Sequence, residues 1–400
     1  MLLIFPIYAC AYNAGSESSC PQYRNPTGED FPIMGWGTFN YEYQNTEINF
    51  KNLKDAGFNI SLALVGDTAL VTKSLKLAEP YGIQILLDCP KITNPALIPE
   101  MVTKYKEFSN VMGYYITDEP QASQFQRCKE IRNEIYKYDS IHIPFINLLP
   151  IVDPERLQAP SYRDYLLDFI NTVKLPMISY DNYPIIKTNG KIRVKENFYE
   201  NLEIISSVCK EKKIPFWAFC LSAPHFNYPT PTKSDLKFEA FSALAYGAQG
   251  LSYYTYAIDY NAPIKYYGAP IDSLGNKTEI WYRCRDVNKE IQSLSKVFLG
   301  AELCDVWHTG KKIPQGTKRL QEMPFPFKSL KTENSGVLVS HLKKTDKNYL
   351  VIVNHEVTKS QNISLKKESN VKRILPSGQA VSDNSSKFKL EPGGYLIFEW

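Results

Sequence analysis

No run in this 400-residue chain reaches the roughly 20 apolar residues of a membrane span. Nor is there an excess of one charge: 46 basic residues stand against 42 acidic ones, a formal net charge of +4. Binding nucleic acid through phosphate neutralisation needs a clearer basic surplus, so nucleic acid is not an expected partner. The five histidines are far apart and form no HExxH, so no metal is expected, and no other cofactor. The eight cysteines form no CxxC pair and no zinc spacing, and no disulfide is assigned. Cys89, Cys209 and Cys220 fall in or beside apolar runs, as buried free thiols do. There is no GxGxxG after a strand-like run, no GxxxxGK[ST] and no GxSxG. Those absences exclude the usual phosphate-binding turns and the nucleophile elbow of acyl transfer.

What the chain has in excess is aromatic rings: 27 Tyr, 20 Phe and 5 Trp, 13% of the residues. Rings with few surplus charges suit flat, polar, uncharged ligands, and they equally suit a large core. Hydrophobic residues at 44% and charged residues at 22% describe a chain that buries such a core. Its length fits one large domain, or one large and one small.

Met1 to Cys10, MLLIFPIYAC, is an apolar run closed by a small residue and a cysteine, with a polar stretch after it. It resembles the end of a bacterial secretory or lipoprotein signal, although no Lys or Arg precedes Arg24. Export is therefore expected, to the periplasm or cell surface, with membrane attachment only through a lipidated Cys10.

From about residue 30, short β-rich runs alternate with longer helical segments. The runs are FPIMGWG (31–37), GFNISLALV (57–65), GIQILLDCP (82–90), VMGYYITDEP (111–120), IPFINLLP (143–150), LPMISYDNYP (175–184), IPFWAFCLSA (214–223) and GLSYYTY (250–256). Eight units at βα spacing predict an α/β fold, a (β/α)8 TIM barrel. A basic, Pro-rich connection (Lys311 to Phe327) leads into short alternating strands, which predict a small antiparallel β-sandwich packed against the barrel. The expected division is a leader at 1–28, the barrel at 29–318 and the sandwich at 319–400.

Reactive groups in such barrels sit at the C-terminal ends of the strands. Those ends carry Trp36, Asp88, Asp118 with Glu119, Asn147, Tyr180, Asp181 and Tyr183, then Trp217 leading to His225, and finally Tyr254 and Tyr256. Carboxylates among rings suit glycoside hydrolysis. One carboxylic acid protonates the leaving oxygen, a second carboxylate attacks or activates water, and the rings stack on sugars. No cluster of Lys, Arg or His stands at these ends, as phosphate chemistry or a lyase acting on a sugar acid would want.

GYYITDEP resembles the strand-four ending of a clan of (β/α)8-barrel glycoside hydrolases, where Asn-Glu-Pro carries the general acid/base. Asp118 takes the Asn position and Glu119 that of the acid. SYDNYP, the segment 239–256 and the closing sandwich extend the resemblance to a secreted bacterial branch of these enzymes. It implies a carbohydrate substrate, with Trp36, Asp118, Asn147, Tyr180, Tyr183, Trp217, His225, Tyr254 and Tyr256 as candidate contacts. The clan's nucleophile is a Glu ending strand seven, and here IPFWAFCLSAPHF has no carboxylate. Asp181, expected at the wider carboxyl spacing of inverting enzymes, or Asp88 is then the second carboxylate; alternatively the protein binds glycan without cleaving it.

Overall fold

The computed structural model describes residues 22–63, 67–258, 263–333 and 335–400. Most of the expected leader, with Cys10, lies outside them.

Eight parallel strands close into a barrel: β1 (Ile33–Trp36), β2 (Ile60–Ala63), β3 (Gln84–Asp88), β4 (Val111–Asp118), β5 (Ile143–Leu148), β6 (Ile178–Tyr180), β7 (Phe216–Leu221) and β8 (Gly250–Tyr254). Each neighbours the next, and β8 closes on β1. The outer helices are α1 (Glu47–Asp55), α2 (Thr68–Ala78), α3 (Ile98–Tyr105), α4 (Phe125–Tyr138), α5 (Tyr162–Val173), α6 (Phe198–Lys212), α7 (Lys233–Ala245) and α8 (Glu279–Ser293). Their starts are capped locally. Asp67 accepts from the Ala69 N–H ahead of α2, Ser161 from Asp164 ahead of α5, and Thr232 forms a capping box with Asp235 ahead of α7.

Alternation along the strands divides the core in two. Met34, Trp36, Ile60, Leu62, Phe145, Trp217, Phe219 and Leu221 fill the barrel interior. Their neighbours Ile33, Ile146, Leu148, Ile178, Tyr180, Ala218, Cys220, Leu251 and Tyr253 face the helices. One irregularity matters for the site. The pairing of β4 with β5 shifts register between Tyr115 and Thr117, after which Asp118 lies opposite Asn147. A bulge of this kind re-aims the residues beyond it.

A hairpin (Ile185–Thr188 with Lys191–Val194) follows β6, an element that the strand reading of 175–184 does not include. The sandwich consists of a six-stranded and a three-stranded antiparallel sheet. Its first strand is Glu302–His308, so the all-β domain begins well before the expected boundary at 319. Phe327–Lys331 belongs to the three-stranded sheet and Ala380–Ser382 edges the six-stranded one. Val337 and Val339 point into the sandwich core, while Leu338 and Leu342 join the barrel's outer core. Across this seam Ser340 Oγ donates to the Ala245 carbonyl at 2.6 Å, and Tyr395 stacks on Phe241.

Candidate active site

The C-terminal ends of the strands open into a cavity of about 500 Å³. Eight of the strand-end candidates line it: Trp36, Asp118, Glu119, Asn147, Asp181, Tyr183, His225 and Tyr254. Its size and its mix of rings with a few convergent polar groups fit a small-ligand site.

Asn147 is the hub. Its side-chain amide Nδ2 donates to Asp118 Oδ1 at 3.0 Å and to Asp181 Oδ1 at 2.9 Å. Its Oδ1 accepts from Ser179 Oγ at 2.9 Å, and its backbone carbonyl accepts from the Glu119 N–H at 2.8 Å. Two acceptors on one nitrogen stand no further apart than both bonds laid end to end, about 6 Å. Asp118 reaches this position because the β4 bulge turns it inward. Glu119 follows in a left-handed conformation (φ 46°), which swings its side chain along the rim. There its Oε2 meets Arg156 Nη2 at 2.9 Å. Both adjacent carboxylates thus reach one cavity, which a regular strand would not permit.

The cavity opens to solvent, yet these carboxyls sit against a dense protein wall. Burial is the main cause that raises Asp118 to about 6, with the Glu119 charge adding to it and the Asn147 bond opposing. Burial first, then the Glu119 and Asp118 charges, push Asp181 well above the ordinary carboxylate range. Glu119 is also raised by burial, against the pull of Arg156. His225 is pushed downward by burial, and its Nδ1 lies 2.8 Å from the Ala223 carbonyl.

Rings form the rest of the wall. Tyr183 stacks on Tyr254 with centroids 5.8 Å apart and meets Tyr228 edge-on, while Trp36 packs edge-to-face on Tyr115 and Phe219. Phe226 projects at the rim, 69% exposed.

Four candidates lie elsewhere. Tyr180 has the strand parity that faces the helices and is buried there. Trp217 stands near the start of β7, so it fills the opposite end of the barrel, packed against Gly250 and donating to Tyr23 Oη at 3.2 Å. Tyr256 lies beyond β8 and packs among Phe39 and Phe58, accepting from Trp281 Nε1. Asp88 ends β3, raised by burial to about 6, but does not line the cavity.

Other lining residues escaped the strand-end reading: Arg156, Lys195, Phe226 and Tyr228. All come from connections after the strands, whose positions no periodicity reports. The missing strand-seven carboxylate has a neighbour on the helical side: Glu239 of α7 accepts the Leu221 N–H at 2.6 Å, is held strongly toward its neutral form by burial, and does not line the cavity. Among the described residues no group of three or more His, Cys, Asp or Glu is arranged to hold a metal ion.

A larger cavity, about 780 Å³, lies at the other end of the barrel, bounded by Tyr23, Phe216, Gln249 and Leu303. It carries Lys210, Lys213 and Glu302 but no clustered carboxyls. In this fold that face serves stability.

No protein-family model matches the sequence, and no curated protein matches it. Solved structures do match the fold. A β-galactosidase from Bacillus circulans sp. alkalophilus superposes with a TM-score of 0.67 at 10% identity, over 93% of this chain and 99% of that one. A catalytic mutant of Gan42B, a GH42 β-galactosidase from G. stearothermophilus, gives 0.67 at 8% identity, over 94% and 99%. A β-galactosidase from the haloarchaeon Halorubrum lacusprofundi gives 0.53 at 10% identity, over 92% and 99%. At these identities the likeness establishes the fold alone: a (β/α)8 barrel followed by an all-β domain.

Proposed function

We propose that this protein is a glycoside hydrolase working in the mouth cavity, with Glu119 as general acid and Asp181 as the second carboxylate. The observation that carries this reading is the carboxyl cluster around Asn147. Asp118, Glu119 and Asp181 act on one another's charge in a ring-lined cavity, so they resist ionising together. A cluster that keeps a proton near neutral pH supplies one acid and one base, the pair that glycosidic cleavage needs. Asp118 and Asn147 then bind sugar hydroxyls, and Trp36, Tyr183 and Tyr254 offer ring faces. Asp181 lines the cavity and Asp88 does not, which favours Asp181 as the partner. An exported, surface-attached location, read from Met1 to Cys10, belongs to the same proposal.

The test is release of product from a panel of aryl glycosides, β-galactoside first because the similar structures are β-galactosidases. Glu119→Gln should lower kcat/KM by about 10²–10⁴, the usual worth of a general acid. Full activity in that variant would sink the assignment. One observation favours a second reading, a glycan-binding protein without catalysis: β7 presents no carboxylate to the mouth. Oligosaccharide binding with no product from any substrate over long incubation would select it.

A further inference from the structure

The mouth cavity holds two cations that strand ends do not supply. Arg156 stands on a short helix (Pro154–Leu157) after β5, and its backbone carbonyl accepts from Gln121 Nε2 at 3.1 Å. Lys195 closes the base of the hairpin after β6, where its N–H donates to the Pro184 carbonyl at 2.8 Å. Its Nζ donates to Tyr228 Oη at 2.9 Å and lies 5.0 Å over that ring. Its charge acts on buried Glu239 from a distance, but Tyr228 Oη takes one of its N–H groups and the other two can serve a ligand.

A neutral sugar asks for amides, hydroxyls and rings, all of which the cavity already has. A half-buried ammonium donates to the hydroxyls of a neutral sugar, but an anion also offsets its charge through stronger, charge-assisted bonds. Arg156 has an acidic partner, but a loosely held one. The guanidinium is 59% exposed and Glu119 31%, and such pairs are weak. A planar guanidinium matches a carboxylate or a sulfate through two parallel bonds, and Glu119 occupies one nitrogen.

We propose that the cavity takes an anionic sugar residue, bearing a carboxylate or a sulfate ester, and that Lys195 and Arg156 read its charge. The proposal rests on the glycosidase reading for where the sugar sits. It also gives the ion pair a part in the reaction. An anion that shares Arg156 weakens its hold on Glu119, which then feels less of the cation that lowers its proton affinity. The substrate's own charge would thus favour the protonated, acid-competent form of Glu119.

The full chain is titrated calorimetrically at low salt with galacturonate, glucuronate and galactose 6-sulfate, against galactose and glucose. The expected result is at least tenfold tighter binding of an anionic sugar than of its neutral parent. The uronate and sulfate arms tell which anion is meant. Lys195→Met should erase most of that preference, and Lys195→Arg should restore part of it, at an unchanged thermal midpoint. Equal or weaker binding of every anion, or a preference that survives Lys195→Met combined with Arg156→Gln, overturns the proposal. Aryl β-galactoside and aryl β-glucuronide hydrolysis are followed in parallel. Cleavage without any anion preference removes the charge reading alone, whereas anion preference without cleavage removes the hydrolase reading alone.

Discussion

The barrel mouth and the seam between barrel and sandwich both crowd titratable groups together, and they treat them in opposite ways. At the seam a chain of hydrogen bonds is satisfied with both imidazoles neutral. His355 Nδ1 faces the Ser335 carbonyl at 3.2 Å and must donate. Its Nε2 therefore accepts from His308 Nδ1 at 2.8 Å, and His308 Nε2 accepts from Tyr246 Oη at 2.8 Å. Burial presses both imidazoles toward their neutral forms, His355 down to about 4 and His308 well below its usual value. At the mouth, three carboxyls repel one another across a cavity, and only one amide joins two of them. Buried polar groups with complementary partners hold a structure together. Polar groups set against each other beside open space are where chemistry is sought.

This contrast can be broken in several ways. The largest effect is expected from Asp181→Asn. It should lower kcat/KM by roughly 10²–10⁴ while the thermal midpoint holds or rises, because an amide oxygen still accepts from Asn147 without carrying a charge that burial opposes. A matching loss of stability would make Asp181 a seam-like residue instead. Trp217→Ala comes next, in the other direction. It should cost about 3–5 kcal/mol in chemical denaturation and leave KM unchanged, since the ring fills the end of the barrel away from the mouth. A raised KM with intact stability would return Trp217 to the sugar site.

A smaller effect should appear in the pH dependence of stability. The unfolded chain protonates its histidines near 6.5, while folded His355 resists down to about 4. His355 therefore contributes a slope of its own. Its share of stability is full above about 6.5 and falls by about 3 kcal/mol as the pH drops to about 4. Asp88 and Asp118, which the fold keeps protonated up to about 6, contribute in the opposite sense. His355→Phe should flatten that slope in urea titrations at successive pH values; an unchanged slope would remove the histidine pair as its cause.

The barrel was legible because each strand is an apolar run bounded by polar residues at βα spacing. Much of the cavity was legible through strand ends, as Trp36, Asp118, Asn147 and Tyr254 illustrate. What failed did so for identifiable reasons. Tyr180 is near a strand end but has the wrong parity, and Trp217 is on the right face but at the wrong end. The β4 bulge, which brings Asp118 inward beside Glu119, leaves no mark on hydrophobic alternation. Arg156 and Lys195 sit on connections whose fold depends on distant partners, Gln121 for one and Tyr228 for the other. A near-neutral overall charge suggested uncharged ligands, but an average over 400 residues conceals two cations in one cavity.

The most direct measurement is a carbon-detected NMR titration of the side-chain carboxyls, with Asp118, Glu119 and Asp181 assigned through single substitutions. The account predicts that Asp118 titrates near 6, that Asp181 titrates well above the ordinary carboxylate range, and that Asp118→Asn lowers the Asp181 midpoint. Three independent titrations near 4, unmoved by substitution of a neighbour, would contradict the coupled cluster on which the proposed chemistry depends.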